Sequence, residues 1–226
     1  MKFSPSREEI ILKYARGKEV LDCGCVEKLE RDENWLHGKL VKLAKQVVGV
    51  DLWKEGVQKL REEGYCVLWG DVTTINLKRR FDVIVAGELI EHLPNPGKFP
   101  ENMAKHLKRE GVLILTTPNA WAFPYQWTEI LRWNRRWASV SRQWGLGPHV
   151  GYHTPDTLWA LAETHGFQLA ELWGCPGNPP KRGMRKIVTP FRNLLCSVFP
   201  QLSSTLVAVL RPRRTPSWKS PRRVRP

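Results

Sequence analysis

Apolar residues in this chain fall in short runs separated by segments of helical period. The first run, Val20-Leu21-Asp22-Cys23-Gly24, is followed by Val47 to Asp51, Tyr65 to Trp69, Phe81 to Ala86 and Val112 to Thr116. Each has the length of a buried strand and is bounded by turn residues or charges. Upstream, Ser6 with Glu9 three residues later has the form of a capping box. Ile10, Ile11 and Tyr14 share one helical face, which predicts a helix ending near Gly17. Trp35 to Gln46 and Lys54 to Glu63 read as further helices, as does Asn95 to Lys108 with an interruption at Pro100. Such alternation predicts an α/β chain, with a mostly parallel sheet covered by helices on both faces.

After Asn119 the pattern changes. Trp121, Trp127, Trp133, Trp137 and Trp144 are interleaved with Arg132, Arg135, Arg136 and Arg142, which marks an insertion over about 120–150. Thr154-Pro155-Asp156 then opens a helix through His165, Gly166 stops it, and Phe167 to Trp173 reads as a strand. A second insertion is expected over about 175–203. In it Pro176 to Gly183 is loop-like, and Phe191 to Phe199 has the form of a short amphipathic helix. Thr205 to Leu210 is the last apolar strand. The expected organisation is one domain over 1–210 followed by a basic tail over 211–226.

Composition adds little until the charge is located. The chain has 226 residues, 42% hydrophobic and 26% charged, as in an ordinary globular protein. Its net charge of +14 suggests a nucleic-acid partner, yet Arg211, Arg213, Arg214, Lys219, Arg222, Arg223 and Arg225 all lie in the proline-containing tail, which has no acidic residue. Removing those seven charges from +14 leaves +7 for the rest. The tail is expected to be disordered, with weak contact to nucleic acid, an anionic membrane or an acidic partner as its possible role. Cys23, Cys25, Cys66, Cys175 and Cys196 form an odd set without paired spacing, so neither a disulfide framework nor a zinc site is indicated. No metal ligand set is evident. A reducing cytoplasm fits best: Met1 to Ile11 carries Glu8 and Glu9 and lacks the core of a secretory signal. No segment reaches the roughly 18 apolar residues that span a bilayer.

The chemistry sits at the strand ends. An apolar run closing in Asp-x-Gly ends a buried strand and opens a tight turn where a cofactor can approach the backbone. The loop Asp22-Cys23-Gly24-Cys25-Val26-Glu27 has one glycine where a nicotinamide site would have Gly-x-Gly-x-x-Gly, which argues against a dinucleotide. Asp51 ends the second strand, about one strand-helix-strand unit downstream, where an acid can take two ribose hydroxyls. Asp71 follows the third strand in Trp69-Gly70-Asp71-Val72, and Glu88 the fourth in Ala86-Gly87-Glu88-Leu89. Ligands of open parallel sheets bind at the carboxyl ends of strands, so these four acids surround one crevice, better suited to a cation than to a pyrophosphate.

With these residues the chain resembles the class I S-adenosylmethionine-dependent methyltransferases, most closely the ubiquinone-biosynthesis type, over about Val20 to Trp173. The carriers are Val20-Leu21-Asp22-Cys23-Gly24, Val48-Gly49-Val50-Asp51, Gly70-Asp71, Phe81-Asp82-Val83-Ile84-Val85, Glu88-Leu89-Ile90-Glu91-His92-Leu93 and Gly111 to Asn119. The resemblance implies a Rossmann-like, doubly wound sheet of seven strands with a terminal antiparallel hairpin, formed by Phe167 to Trp173 and Thr205 to Leu210. It implies S-adenosylmethionine as cofactor and S-adenosylhomocysteine as product. Asp22, Cys23 and Gly24 would then shape the turn under the methionine moiety, Asp51 with Leu52 would hold the ribose, Asp71 with Val72 the adenine, and Glu88 would line the methionine side. Where the family carries a second glycine after the first, this chain has Cys25-Val26. Val26 does not readily take positive φ, which predicts a different loop path.

Methyl transfer needs an aligned acceptor more than covalent catalysis. His92, just past the fourth strand, is the candidate base for an oxygen acceptor. Asn119, Trp121, His149, Tyr152 and His153 are the candidate substrate contacts, since loops at this edge cover the acceptor pocket. The expected acceptor is a small molecule, a lipid-linked compound or a glycan. A nucleic-acid methyltransferase is the alternative, but Thr117-Pro118-Asn119 is not the Asn/Asp-Pro-Pro-aromatic motif many of those use on a flipped base. A non-catalytic domain that keeps the fold for interaction is the third reading.

Overall fold

The computed structural model describes residues 1–27, 34–122, 149–176 and 185–213. Strands are β1 Lys2–Phe3, β2 Glu19–Cys23, β3 Gln46–Asp51, β4 Val67–Trp69, β5 Phe81–Gly87, β6 Leu107–Pro118, β7 Phe167–Cys175 and β8 Thr205–Pro212. Helices are α1 Arg7–Ala15, α2 Leu36–Leu43, α3 Lys54–Glu62, α4 Lys98–Met103, α5 Pro155–Thr164 and α6 Arg185–Val198.

The strands form one sheet in the order β1-β7-β8-β6-β5-β2-β3-β4. β2 lies between β3 and β5, parallel to both, while β8 runs antiparallel to β6 and β7. The expected doubly wound α/β sheet with its terminal hairpin is therefore present, with eight strands among the described residues where seven were expected. The additional strand, β1, pairs parallel with β7 at the edge, and Lys2 Nζ reaches Glu171 Oε1 at 2.8 Å. Two residues carry no hydrophobic period, which is why the sequence pattern does not register them.

Alternation along the strands divides the core. Leu21, Cys23, Ile84, Ala86, Leu113 and Leu115 pack with Phe99 and Met103 of α4 and Leu158 and Ala162 of α5. Val20, Val83, Val85, Val112 and Ile114 pack with Ile10 and Ile11 of α1 and Leu36 and Leu40 of α2. With both faces covered, these strands read as continuous apolar runs.

Several boundaries differ from the sequence pattern. α2 ends at Leu43 because Gln46 already pairs with Glu19 in the sheet. Pro100 is tolerated as the third residue of α4, where its missing N–H has no helical acceptor to lose. β6 begins at Leu107, so Lys108 is in the sheet. α6 starts before Phe191, at Arg185. Of the basic tail, Arg211 and Pro212 belong to β8, and Arg213 donates its N–H to Gly166 O and pairs with Glu163. The tryptophan and arginine insertion beyond Ala122, the loop from Gly177 and the tail after Arg213 lie outside the described residues.

Gly49, opposite Asp22 in the pairing of β2 and β3, makes a close approach possible. A Cβ there would stand 2.6 Å from Cys25 Sγ, 2.7 Å from Val67 Cγ1 and 2.9 Å from His37 Cε1. Gly49→Ala is expected to cost about 1–3 kcal/mol by overpacking, read as a lower urea midpoint, with partial recovery when Cys25→Ala is added.

Candidate active site

β2 and β5 are neighbours, but the chain leaves β2 towards β3 and leaves β5 towards β6, so a crevice opens at their carboxyl ends. Gly24 takes φ +78° there, and its N–H donates to Val50 O at 2.8 Å. A Cβ on Gly24 would lie 3.3 Å from Leu89 Cδ1, so a side chain would be strained in both conformation and space. Val26 lies outside the left-handed region, as expected for a different loop path. Its N–H instead donates to Asp51 Oδ2 at 2.8 Å, and Trp35 Nε1 donates to Cys25 O at 3.0 Å.

Asp51 also accepts from Trp53 N–H through Oδ1 at 2.9 Å. Burial raises its pKa, and those backbone N–H groups oppose the rise. Oδ2 accepts from Val26 and Oδ1 from Trp53, so backbone N–H groups orient the carboxylate at the end of β3. Beside it Leu52 is 66% exposed, and Trp53 and Trp69 are also exposed. An acidic acceptor bordered by apolar and aromatic surface could hold a nucleoside, and the side-chain-free Gly24 turn could admit a ligand to the backbone.

Other expected cofactor residues have different settings. Asp22 shares its side-chain direction with Val20, so its carboxylate points into the helix layer, where it lies 2.8 Å from Nδ1 of buried His37 on α2. It supports the turn from beneath instead of lining the crevice. Cys23 points the other way and packs in the core, its Sγ 3.8 Å from Met103 Sδ. Val72 is also in the core. Asp71 is exposed, and its Oδ1 accepts from Thr73 N–H at 2.8 Å and Thr73 Oγ1 at 2.7 Å. The four acids are therefore not a bare cluster awaiting a cation, since each has local partners.

Glu88 has φ +51°, an uncommon conformation for a side-chain-bearing residue. Its N–H donates to Thr116 O at 3.0 Å, Thr116 Oγ1 donates to Oε1 at 3.0 Å, and Arg7 Nη1 pairs with Oε1 at 2.7 Å. The arginine of α1 thus neutralises an acid at the crevice.

Beyond Glu88, Ile90–His92 forms a 3-10 turn. Glu91 is 1% exposed, and burial together with the charge of Glu88 pushes its pKa up to about 8. Thr117 Oγ1 donates to Glu91 Oε2 at 3.2 Å, while Oε1 and His92 Nδ1 are buried without hydrogen-bond partners among the described residues. The Glu91 carbonyl accepts from Val150 N–H at 2.8 Å and Gly151 N–H at 3.1 Å. This draws His149 against His92, with ring centroids 4.7 Å apart, and Tyr152 against His149 at 5.8 Å. Burial and neighbouring His92 lower the His149 pKa.

The remaining acceptor candidates divide. Trp121 and Tyr152 are exposed. Asn119 is buried, with Nδ2 donating to Gln201 O and Ser203 O at 2.7 Å each and Oδ1 accepting from Trp121 N–H, so its side chain clamps the lead into β8. His153 is buried, its carbonyl accepts from Ala120 N–H at 2.9 Å, and burial lowers its pKa. Sequence reasoning missed His37, Arg7, Thr116 and the carboxylate of Glu91. Only the Glu91-His92 pair carried a visible signal, an acid and an imidazole adjacent just past a strand.

A family model described as a methyltransferase domain matches residues 3–172. A ubiquinone biosynthesis O-methyltransferase of Coxiella burnetii is 27% identical over 170 residues, covering 74% of this chain and 70% of that protein. The enzyme of the same name from Paraburkholderia phymatum is 28% identical over 177 residues, covering 75% and 72%. Among solved structures, a complex of the Haloferax volcanii Trm112 methyltransferase activator and a methyltransferase matches with TM-score 0.61 and 15% identity, over 91% of this chain and 88% of that one. The N-methyltransferase NodS of Bradyrhizobium japonicum bound to S-adenosyl-L-homocysteine matches with TM-score 0.53 and 16% identity, over 91% and 85%.

Replacing His37 by Phe leaves Asp22 buried without its partner, at an expected cost of about 1–3 kcal/mol or more. Asp22→Leu added to His37→Phe should recover part of that loss in chemical denaturation. For Glu91, folding raises the pKa from 4.5 to about 8, so the folded chain retains a proton the unfolded chain releases. In EDTA-containing buffer, stability is expected to fall as pH rises through that window, and Glu91→Gln should lack that slope.

Proposed function

Because the chain belongs to the methyltransferase-domain family, whose enzymes use S-adenosylmethionine, we propose that it methylates an oxygen atom of a small-molecule, lipid-linked or glycan acceptor. Bound in the crevice, S-adenosylmethionine supplies an electrophilic methyl group on a sulfonium sulfur. Gly24 admits that end of the cofactor to the backbone, Asp51 holds the ribose hydroxyls, and exposed Leu52 and Trp69 flank the adenine. Asp22 acts through the turn, held by His37.

The observation that carries an oxygen acceptor is the imidazole pair of His92 and His149, placed past β5 beside Glu91. The lowered pKa of His149 keeps it neutral near pH 7, able to handle the proton an acceptor hydroxyl gives up. An amine acceptor already carries a lone pair when neutral and needs no such group. The O-methyltransferases of Coxiella burnetii and Paraburkholderia phymatum support the same reading. The domain is proposed to span 1–210, with Trp121 and Tyr152 bordering the acceptor.

Calorimetry with S-adenosylhomocysteine should show one-site binding, weakened at least about tenfold, or 1.4 kcal/mol, by Asp51→Ala. Radiolabelled methyl transfer to a panel of hydroxylated small molecules, lipids and glycans should yield alkali-stable ethers with at least one class. His92→Ala should lower that turnover by about 10²–10⁴ with cofactor affinity retained. Methylation of amines alone would overturn the acceptor assignment, and unchanged binding in Asp51→Ala would overturn the cofactor placement.

A further inference from the structure

We propose that the amino-terminal edge of the sheet, opposite the crevice, docks the phosphate backbone of a nucleic-acid duplex. The register sets the starts of β2, β3 and β5 side by side, since Val20 pairs with Val47 on one flank and with Val83 on the other. In β6, Leu107 pairs with Phe81 but Val112 with Val83, so Lys108 and Arg109 stand out from the ladder at the same edge. β8 runs the other way, and its last residue, Pro212, closes there too. Segments 16–19, 45–46, 78–82, 105–110 and 211–213 thus gather at one edge, with eleven lysines and arginines against three acids.

Helix ends explain only part of this charge. Arg16 and Lys45 follow α1 and α2, where a cation complements the carbonyl end of the helix dipole. Lys78, Arg79 and Arg80 follow no helix: they form the turn before β5, and Lys78 takes φ +48°. Glycine or asparagine adopts that conformation at less cost, so the backbone does not account for a lysine there. Glu19 and Asp82 brace two of the cations, with Arg79 Nη2 3.4 Å from Glu19 Oε2 and Lys108 Nζ 3.1 Å from Asp82 Oδ1. Lys78, Arg80, Lys105 and Arg109 are exposed and form no ion pair among the described residues.

The chain itself points to an extended polyanion. It leaves this edge at Arg213 and continues through Arg214, Lys219, Arg222, Arg223 and Arg225, so the folded face and the tail offer their charge to one partner. None of the edge segments contributes an exposed large apolar side chain. A membrane surface would engage such residues and a single strand would stack its bases on aromatic ones, whereas the backbone of a duplex needs only cations. From β3 to β8 the edge crosses five adjacent strands, about 19 Å at a spacing of about 4.8 Å, which is roughly half of the ~34 Å turn of a duplex. The opposite edge carries Asp51, Asp71, Glu88 and Glu91, about 20 Å away along β5, and turns a polyanion away from the crevice. The duplex is therefore a tether and not the methyl acceptor, and its binding does not depend on the methyl-transfer reading.

Fluorescence anisotropy of the full chain with short labelled duplexes of RNA and of DNA tests this. With about five phosphates engaged, the logarithm of the association constant should fall against that of salt concentration with a slope of about −4 or steeper. Lys78→Ala, Arg80→Ala and Arg109→Ala combined in the full chain should reduce that slope by about 3 and weaken binding at least about tenfold. These side chains are at the surface, so the variant keeps the fold, checked by circular dichroism. Arg222→Ala, Arg223→Ala and Arg225→Ala in a second full-length variant should weaken binding without abolishing it. Salt-dependent binding of either duplex that needs the face residues supports the proposal, and the two affinities distinguish RNA from DNA. Absence of such binding, or undiminished binding in the folded face variant, overturns it. So does a preference for phosphatidylglycerol vesicles over both duplexes.

Discussion

The pairing of β2 between two parallel neighbours is the constraint on which the site depends. Asp22 stands opposite Gly49 on one side and Val85 on the other, and Cys23 opposite Val50 and Ala86. That register ends β2 level with β5 and places Gly24 at the mouth of the crevice. It also sets the direction of every side chain on the strand. Leu21 and Cys23 join the layer of α4 and α5, while Val20 and Asp22 join that of α1 and α2. A slip of one residue would reverse these assignments, sending Asp22 into the apolar layer beneath Met103.

The central sheet was legible because its strands are covered on both faces and so appear as apolar runs. The positions of Gly24, Asp51 and Glu88 were legible for a related reason: each directly follows such a run or ends it. What escaped detection came from elsewhere in the chain. β1 is too short for any period, and Arg7 is one charge on the first turn of a helix. His37 lies on an amphipathic helix where an imidazole reads as surface, yet it is buried because Asp22 faces it across the layer. Asn119 shows the converse error. Its place after a strand suggested substrate contact, whereas its amide holds the backbone leading into β8.

Charge at the crevice is balanced residue by residue. His37 partners Asp22, backbone N–H groups of Val26 and Trp53 partner Asp51, Thr73 partners Asp71, and Arg7 with Thr116 partners Glu88. These local partners explain why four acids gathered at one sheet edge do not repel the fold apart. Glu91 is the exception. It lies deeper than any of them, and only one of its oxygens has a donor among the described residues. The acid with an unmet requirement is therefore not one of the four at strand ends but its neighbour past the turn.

The substitution of Cys25-Val26 for a second glycine follows from the same geometry. A glycine there would let the loop continue in the left-handed region after Gly24. With Val26 the chain turns instead towards Asp51, and its N–H occupies Oδ2. Val26 and Cys25 then pack with Trp35, Val57, Leu60 and Val67 in a third apolar cluster beneath α3. The loop thus exchanges glycine's freedom for side-chain burial, and its anchor is the carboxylate of Asp51 at the end of β3. Asp51 consequently orients two segments at once, the loop after β2 through Val26 and the start of α3 through Trp53. A loop anchored in this way is ordered before any ligand arrives, so binding there forgoes little further backbone entropy.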